Sequence, residues 1–273
     1  MIKLGLVGEK LGHSLSPEIH RFIFEKSDIC GEYSLIEIAK KDSEKIVDRA
    51  KELGLSGFNI TVPYKEVVIP QLDFVSDEAK NIGAVNIVVI RDGKTYGYNT
   101  DYYGIIKLFN EAHIDIKDKK CYILGSGGAA KALIVAIHDL GGKVFVVSRN
   151  KETKMDLKVK FPYIELISYD EIDCGDVVIN ATPVGMYPNI DISPIDEKNI
   201  KKFNFAVDII YNPSVTKFME IGKANGLKTI NGLPMLIEQG IKAEELWQNK
   251  KFERDLYSGL MRLLGGKDED NGN

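Results

Sequence analysis

The sequence contains few of the residues that build metal centres or disulfide frameworks. Its 273 residues include three cysteines, four histidines and one tryptophan. Cys30, Cys121 and Cys174 are far apart and form no CxxC pair, so we interpret them as buried thiols that stay reduced. The four histidines are too scattered to suggest a metal cluster. We therefore predict a protein that holds no metal.

Long apolar runs and an excess of basic charge are also absent. The longest apolar run, near 84–90, is far shorter than the roughly 20 residues that cross a bilayer. The N-terminus continues directly into a strand-like segment, which is not how a signal peptide begins. Lys and Arg number 36 against 40 Asp and Glu, so no basic surface is evident. We expect a cytoplasmic protein that binds neither membranes nor nucleic acid.

The length is sufficient for two domains, and strand and helix patterns alternate along all of it. Strands are predicted at about 2–7, 33–38, 57–62, 85–91, 120–124, 143–148, 176–180 and 206–210. Helical patterns fill most of the gaps, for example at 17–28, 42–53, 101–113, 129–140, 233–249 and 252–263. Asp92-Gly93 between two short runs predicts a hairpin. The alternation predicts an α/β protein with mostly parallel sheets.

A glycine-rich loop follows the strand 120–124 and opens a helix. Its residues are Gly125, Ser126, Gly127, Gly128, Ala129 and Ala130. The first glycine allows a tight turn, the second lets backbone N–H groups approach a pyrophosphate, and the alanine at 130 lets helix and strand pack closely. Strand before and helix after is the required context, so we predict a Rossmann-type dinucleotide site here rather than a turn that binds nothing.

The next strand ends in Ser148-Arg149-Asn150, about where an NAD site carries a carboxylate for the ribose 2′-hydroxyl. An arginine would instead pair with a 2′-phosphate in a bidentate geometry. The alternative is a solvated arginine at a strand end. The position favours a role in binding, and the cofactor is predicted to be NADP rather than NAD.

Several polar residues stand where open α/β sheets bind ligands. In the predicted strand 57–62, Asn59 and Thr61 share one face, and Lys65 follows the strand's end. Taken alone, each has an ordinary structural role: a turn residue, a strand residue and a solvated lysine. Asp101 could be a helix N-cap. Gln239 lies in the apolar arc of the helix 233–249, where it either bonds backbone or faces a ligand.

The chain resembles the shikimate dehydrogenases over nearly its whole length. The matching stretches are 12–20 (GHSLSPEIH), 57–65 (GFNITVPYK), 83–86 (GAVN), 97–104 (GYNTDYYG), 125–130 (GSGGAA), 180–186 (NATPVGM), 208–213 (DIIYNP) and 232–236 (GLPML) with Gln239. Their order and spacing match, and several are specific. One departure is Ser148-Arg149-Asn150, where the family has Asn-Arg-Thr, so discrimination between cofactors could be weaker.

The resemblance implies roles for individual residues. Ser14 and Ser16 would hold the substrate carboxylate, and Lys65 with Asp101 would handle the proton. The hydroxyl pocket and a further substrate contact would consist of Asn59, Thr61, Asn86, Gln239 and Tyr211. The cofactor positions would be Asp77, Gly125, Ser126, Gly127, Gly128, Ala129, Ser148, Arg149, Asn150, Thr182, Ile209 and Gly232. Amides and hydroxyls suit a polyhydroxylated ring, and serines can donate to a carboxylate.

The resulting hypothesis is an enzyme that uses NADPH to reduce 3-dehydroshikimate reversibly to shikimate. Alternatives are a quinate/shikimate dehydrogenase of the same fold, or a non-catalytic dinucleotide sensor. We expect a monomer or homodimer. The substrate domain is predicted to span 1–101 plus about 236–265, the NADP domain 102–235, and a polar tail 266–273.

Overall fold

Strands and helices alternate in the computed structural model, which describes residues 1–12, 14–149, 151–253 and 255–265, without the side chains of 151–154. The described strands are β1 (Ile2–Gly8), β2 (Gly31–Glu37), β3 (Gly57–Ile60), β4 (Phe74–Val75), β5 (Ile87–Arg91), β6 (Lys94–Tyr98), β7 (Lys120–Leu124), β8 (Lys143–Val147), β9 (Glu165–Ile167), β10 (Val177–Asn180), β11 (Phe205–Asp208) and β12 (Lys228–Ile230). The described α-helices are α1 (Ser16–Lys26), α2 (Ile46–Glu52), α3 (Asp77–Ile82), α4 (Asp101–Glu111), α5 (Gly128–Asp139), α6 (Lys151–Lys160), α7 (Glu197–Ile200), α8 (Lys217–Ala224), α9 (Leu233–Gln248) and α10 (Asp255–Gly265).

The chain forms two compact units. The first contains Met1–Tyr103 and the segment that starts at Ile237, and the second contains Gly104–Leu236. The polar tail predicted at 266–273 lies outside the described residues.

The first unit has a mixed sheet in the order β2-β1-β3-β5-β6-β4. β1 is parallel to β2 and β3, whereas β5 is antiparallel to both β3 and β6. The predicted hairpin is present, with Asp92 and Gly93 at positive φ values of 51° and 74°. Because β6 runs in the same direction as β1 and β3, the carboxyl ends of these three strands meet at one edge of the sheet.

Both faces of this sheet are covered by apolar side chains. Phe58, Ile60 and Val88 belong to the core on one face, and Ile87 and Trp247 to the core on the other. Gly57 allows the indole of Trp247 to lie against the backbone of β3, since a Cβ at this position would overlap the ring. The indole N–H then donates to the Val88 carbonyl at 2.9 Å. Helix α9 is thereby fixed to the centre of the sheet.

The second unit is a parallel sheet in the order β12-β11-β10-β7-β8-β9. Read from β9, this is the strand order 3-2-1-4-5-6 of the Rossmann fold, as the glycine loop predicted. The order reverses between β7 and β10, and ligands of such sheets bind beyond the carboxyl ends of the strands at this point. The loop that starts at Gly125 follows β7 directly.

Some predicted bounds of strands and helices were wrong. The strand 57–62 ends at Ile60, because the chain turns at Thr61, whose carbonyl accepts from Tyr64 N–H at 3.0 Å. The strand 206–210 ends at Asp208. The helix 42–53 is a 3₁₀ turn over Lys40–Lys45 followed by α2, because the polar residues before Ile46 bury nothing.

The predicted burial of the cysteines was correct for one residue and wrong for two. Cys121 is buried, whereas Cys30 and Cys174 are exposed, and all three are free thiols. Among the described residues no group of His, Cys, Asp and Glu could hold a metal ion. A search of the same residues for a helix of sufficient length and apolarity to span a membrane found none.

Candidate active site

An ion pair lies at the carboxyl edge of the first sheet. The ammonium of Lys65, in the loop after β3, donates to Asp101 Oδ2 at 2.6 Å. The lysine side chain is 16% exposed and the carboxylate 7% exposed, so both charges are largely removed from bulk water. A pair in this setting is held only where further hydrogen bonds compensate for the lost hydration.

Asn86 supplies that compensation. Its side-chain Nδ2 donates to Asp101 Oδ1 at 2.8 Å, and its side-chain Oδ1 accepts from Thr100 N–H at 2.7 Å. The backbone N–H of Asp101 donates to Asn99 Oδ1 at 3.0 Å. Asp101 is the first residue of α4, but its two carboxylate oxygens bond Lys65 and Asn86. The geometry therefore favours a role in the site over the N-cap alternative.

A second polar group lies at the same edge. Ser14 Oγ donates to Ser16 Oγ at 3.1 Å, and Ser16 N–H donates back to Ser14 Oγ at 3.2 Å. Tyr33, on β2, donates to Asn59 Oδ1 at 2.6 Å and thereby holds one predicted residue. No sequence signal identifies Tyr33, because in the sequence it is one more strand tyrosine.

Backbone hydrogen bonds place the two groups on neighbouring strands. Ile60 N–H, next to Asn59, donates to the Asn86 carbonyl at 2.8 Å, and Val85 N–H donates to the Lys65 carbonyl at 2.7 Å. Thr61 N–H donates to the Val7 carbonyl at 2.9 Å, which keeps this half-buried threonine beside the end of β1. The edge therefore collects the predicted catalytic pair and five predicted substrate residues. These five are Ser14, Ser16, Asn59, Thr61 and Asn86.

Three other predicted residues lie elsewhere. Gln239 is half-buried on α9 in the first unit. Asp77 is an exposed residue that starts α3 and accepts from Lys80 at 3.3 Å. Tyr211 belongs to the second unit, where burial raises the pKa of its hydroxyl. Their roles as ligand contacts stay predictions.

The glycine loop of the second unit has the form that a dinucleotide requires. Gly125 has a φ of +115° and approaches the Ala181 carbonyl so closely that a Cβ would lie 3.0 Å from its oxygen. A Cβ on Gly127 would meet nothing within 4 Å, so the backbone there borders open space. α5 begins at Gly128, and Ala130 is fully buried against the sheet. Backbone N–H groups at this helix start suit a pyrophosphate.

The end of β8 combines a buried and an exposed residue. Ser148 is buried, and Arg149 is exposed. The charge of Arg149 is near Tyr169. Burial raises the pKa of Tyr169, and the arginine charge opposes this shift in part. Because the guanidinium of Arg149 is exposed to solvent, a phosphate can reach it without any rearrangement of the fold. The predicted Asn150 lies outside the described residues.

The loops after β10 and β11 are tied together by a buried carboxylate. Asn180 accepts from Thr182 Oγ1 at 2.7 Å and donates to both oxygens of Asp208 at 3.1 and 3.2 Å. Gly232 packs on the Ile209 backbone, and a Cβ there would overlap it. The buried Asn180–Asp208 pair and the packing of Gly232 on Ile209 thus hold three predicted cofactor residues in place. These are Thr182, Ile209 and Gly232. The loop, Arg149 and this arrangement together fit a phosphorylated dinucleotide.

Comparison with known proteins gives the same result. A family model described as the shikimate dehydrogenase substrate binding domain matches residues 6–88. A shikimate dehydrogenase (NADP(+)) of Clostridium perfringens is 49% identical over 264 residues, which cover 94% of this chain and 97% of the relative. The chain belongs to the shikimate dehydrogenase family. The family model spans Ser14, Ser16, Asn59, Thr61, Lys65 and Asn86.

Solved structures of the family have the same architecture. Shikimate dehydrogenase 1 of Peptoclostridium difficile superposes with a TM-score of 0.93 at 45% identity, covering 98% of this chain and 99% of that one. The Thermus thermophilus enzyme, solved with NADP(H) and shikimate, gives a TM-score of 0.86 at 32% identity and covers 97% and 100%. The α/β, two-domain fold predicted from the sequence is therefore confirmed.

The buried carboxylate behind the nucleotide loops of this family member has an unusual protonation equilibrium. Burial raises the pKa of Asp208 to about 6, against the opposing hydrogen bonds from Thr216, Ile210 N–H and Asn180. Thr216 Oγ1 donates to Asp208 Oδ2 at 2.7 Å, and Ile210 N–H donates to Asp208 Oδ1 at 3.0 Å. Desolvation outweighs them because no cation accompanies this carboxylate among its described partners.

We expect Asp208→Asn to change how stability depends on pH. Between about pH 4 and 6 the folded chain keeps a proton on Asp208 that the unfolded chain has already lost, because the pKa is raised from 3.8 to about 6. The free energy of unfolding therefore contains a contribution that falls as pH rises through this window and is constant above it. The wild type should lose about 2–3 kcal/mol relative to the variant from pH 4 to 7, measured by urea unfolding. A difference that is the same at both pH values would contradict the assignment.

Proposed function

We propose that this protein is an NADP-dependent shikimate dehydrogenase that reversibly reduces 3-dehydroshikimate to shikimate. The observation that carries the proposal is the Lys65–Asp101 pair, held by Asn86 at the carboxyl edge of the first sheet. The relative of C. perfringens is named for this activity, and the structure of T. thermophilus was solved with both ligands. The site contains the groups that the reaction needs.

Reduction of a ketone requires a proton at the oxygen while hydride arrives at the carbon. A bound reduced nicotinamide would supply the hydride. The Lys65–Asp101 pair supplies the proton in the reducing direction and accepts it in the oxidising direction. The 2.6 Å contact holds the ammonium against the carboxylate. Asn86 orients the carboxylate and thereby keeps the ammonium at a fixed place.

The remaining polar residues bind substrate. Ser14 and Ser16 hold the carboxylate through their hydroxyls. Ring hydroxyls are bound by Asn59, Thr61, Asn86 and Gln239, and Tyr211 gives a further contact. Most of these side chains are fixed by hydrogen bonds to their neighbours before any substrate arrives. Such prior ordering reduces the entropy lost on binding.

The second unit holds the cofactor. Gly125, Ser126, Gly127, Gly128 and Ala129 receive the pyrophosphate at the start of α5. Ser148, Arg149 and Asn150 bind the 2′-phosphate of the adenosine ribose. Thr182, Ile209 and Gly232 are further cofactor positions of the second unit, and Asp77 is a cofactor position contributed by the first unit's sequence. The domain roles follow: 1–101 with about 236–265 for substrate, and 102–235 for NADP.

Purified protein should reduce NADP⁺ when shikimate is added, which absorbance of the reduced cofactor measures directly. kcat/KM for shikimate should exceed that for quinate by at least about tenfold, because quinate brings an extra hydroxyl and a carboxylate out of the ring plane. The serine pair is linked by two hydrogen bonds and cannot match both directions. Comparable efficiency on the two acids would indicate a quinate/shikimate dehydrogenase. Binding of both ligands without turnover would favour the sensor alternative.

Lys65→Ala should lower kcat by about 10²–10⁴-fold, the usual contribution of a positioned acid–base group. Asp101→Asn should also impair turnover, since it keeps the shape but removes the charge that holds the ammonium. Lys217→Ala is a matched control, because Lys217 forms an exposed pair with Glu220 at 3.0 Å. Steady-state kinetics and a melting curve separate catalysis from folding. A Lys65 variant with near-normal kcat would exclude the proposed role.

Arg149→Ala should raise the Kd of NADP⁺ by about tenfold, the lower end for a hydrogen bond to a charged group because the side chain is exposed. The Kd of NAD⁺, which has no 2′-phosphate, should change little. Both constants can be measured by titration of the protein's fluorescence. Equal weakening of the two cofactors would show that Arg149 does not bind the phosphate.

A further inference from the structure

The side chain of Asn59 is met by a tyrosine that reaches it across a strand. β1 lies between β2 and β3, with Leu4 opposite Tyr33 and Leu6 opposite Asn59. Leu4 and Leu6 are two residues apart, so all four side chains are on one face of the sheet. On this face the Tyr33 hydroxyl donates to Asn59 Oδ1 at 2.6 Å. The contact therefore joins two strands that do not pair with each other.

The length of this hydrogen bond identifies which end of the Asn59 amide meets the phenol. Hydrogen bonds between two oxygens are about 2.5–3.0 Å long, whereas those from a nitrogen to an oxygen are about 2.7–3.2 Å long. At 2.6 Å the partner of the phenol is the amide oxygen. A phenol keeps its proton at neutral pH, so Tyr33 is the donor. The amide nitrogen of Asn59 consequently points away from Tyr33.

That nitrogen is available to a ligand. Asn59 is 4% exposed, and within the described part of the chain its side chain forms one hydrogen bond, to Tyr33. Its Nδ2 is not among the described polar atoms that are completely buried without a partner. The amide oxygen is thus used inside the protein, whereas the N–H groups remain for a substrate. Such donors bind a group that offers an oxygen lone pair.

Buried groups behind the phenol keep its ring in place. The Tyr33 ring stacks on His20, with ring centroids 4.1 Å apart and planes within 10°. His20 is 1% exposed, and its Nδ1 lies 2.7 Å from Oε1 of the fully buried Glu244 on α9. The other carboxylate oxygen accepts from Gln248 at 3.2 Å, and the Trp247 ring lies 5.4 Å from the imidazole. The phenol therefore rests on side chains of α1 and α9 that are themselves held by neighbours.

We propose that Tyr33 is a positioning residue that fixes Asn59 with its amide N–H groups toward the substrate, so that the substrate must supply an acceptor oxygen there. The inference rests on the proposed function, because it takes shikimate as the ligand from there. The acceptor is an oxygen of the carboxylate or of a hydroxyl that does not react. An amide that could turn freely would accept from a donor equally well. Tyr33 thereby contributes to specificity without itself touching the substrate.

Tyr33→Phe tests this role, because it keeps the ring that stacks on His20 and removes the hydroxyl. It should lower kcat/KM for shikimate by about tenfold, the contribution of one neutral hydrogen bond, through KM and with kcat nearly unchanged. In an Asn59→Ala background, where there is no amide to orient, the same substitution should change kcat/KM by less than about twofold. A tenfold loss that persists in this background would overturn the proposal, because Tyr33 would then act through packing.

Substrate analogues identify the acceptor oxygen. One analogue lacks the carboxylate, and two others each lack one of the hydroxyls that do not react. The cost of Tyr33→Phe should fall from about tenfold to within about twofold for the analogue without the group that Asn59 binds. A fall with the first analogue assigns the carboxylate, and a fall with one of the others assigns that hydroxyl. An undiminished cost with every analogue would overturn the orientation of Asn59.

Tyr96→Phe is the matched control. Tyr96 is a partly buried tyrosine of the same unit whose ring stacks on Phe74 at 5.0 Å, and it has no assigned role in the site. Its substitution should leave kcat/KM unchanged in both backgrounds. A wild-type protein that does not oxidise shikimate with NADP⁺ would overturn the proposed function and this inference together. Normal turnover in the wild type and equal kcat/KM in Tyr33→Phe would overturn the inference alone.

Discussion

The hydrogen bond from Asn86 to Asp101 is the interaction on which the buried Lys65–Asp101 pair depends. Two opposite charges that lie mostly out of water lose hydration worth several kcal/mol per ion, and a mutual contact alone does not offset this. Asn86 donates to the carboxylate oxygen that Lys65 leaves unused, and its carbonyl accepts from the backbone at Thr100 just before α4. One amide therefore fixes both the orientation of the carboxylate and the start of the helix that carries it. Lys65 is placed as a consequence, because its partner cannot move.

The second unit uses the same combination of amide and carboxylate with a different electrostatic result. Asp208 is also held by an asparagine from the neighbouring strand end, yet its described partners are neutral donors. Without a cation, desolvation dominates and the pKa rises to about 6. The carboxylate of Asp101 is paired with a lysine, whereas that of Asp208 has only neutral donors among its described partners and ties together the loops carrying Thr182 and Ile209. The partners of the two carboxylates thus differ by one charged side chain, Lys65.

Much of the fold could be predicted because its signals are local. Apolar runs such as 120–124 and the Asp92-Gly93 turn specify their own structure. The end of β3 at Ile60 was missed because the turn at Thr61 is closed by a hydrogen bond from Tyr64, three residues further along the chain. Tyr33 was missed for a different reason. Its hydrogen bond is to Asn59, 26 positions away, and β1 must first pair with both β2 and β3 to bring the two residues together. The pairing of Lys65 with Asp101 has the same origin, and the family resemblance rather than a pattern of spacing made it predictable.

The residues proposed to select the substrate are buried, whereas the arginine proposed to select the cofactor is exposed. On the proposed substrate side, Asn59, Asn86 and Asp101 are buried, and each is hydrogen-bonded to another side chain. A wrong ligand there leaves a buried polar group unpaired, which costs about 1–3 kcal/mol for each group. On the cofactor side, Arg149 is exposed, and water can replace a missing phosphate at small cost. Substrate choice should therefore be sharper, group for group, than the choice between NADP and NAD. Stronger discrimination between the cofactors would require a second cationic or donor group that closes over the phosphate and removes it from water.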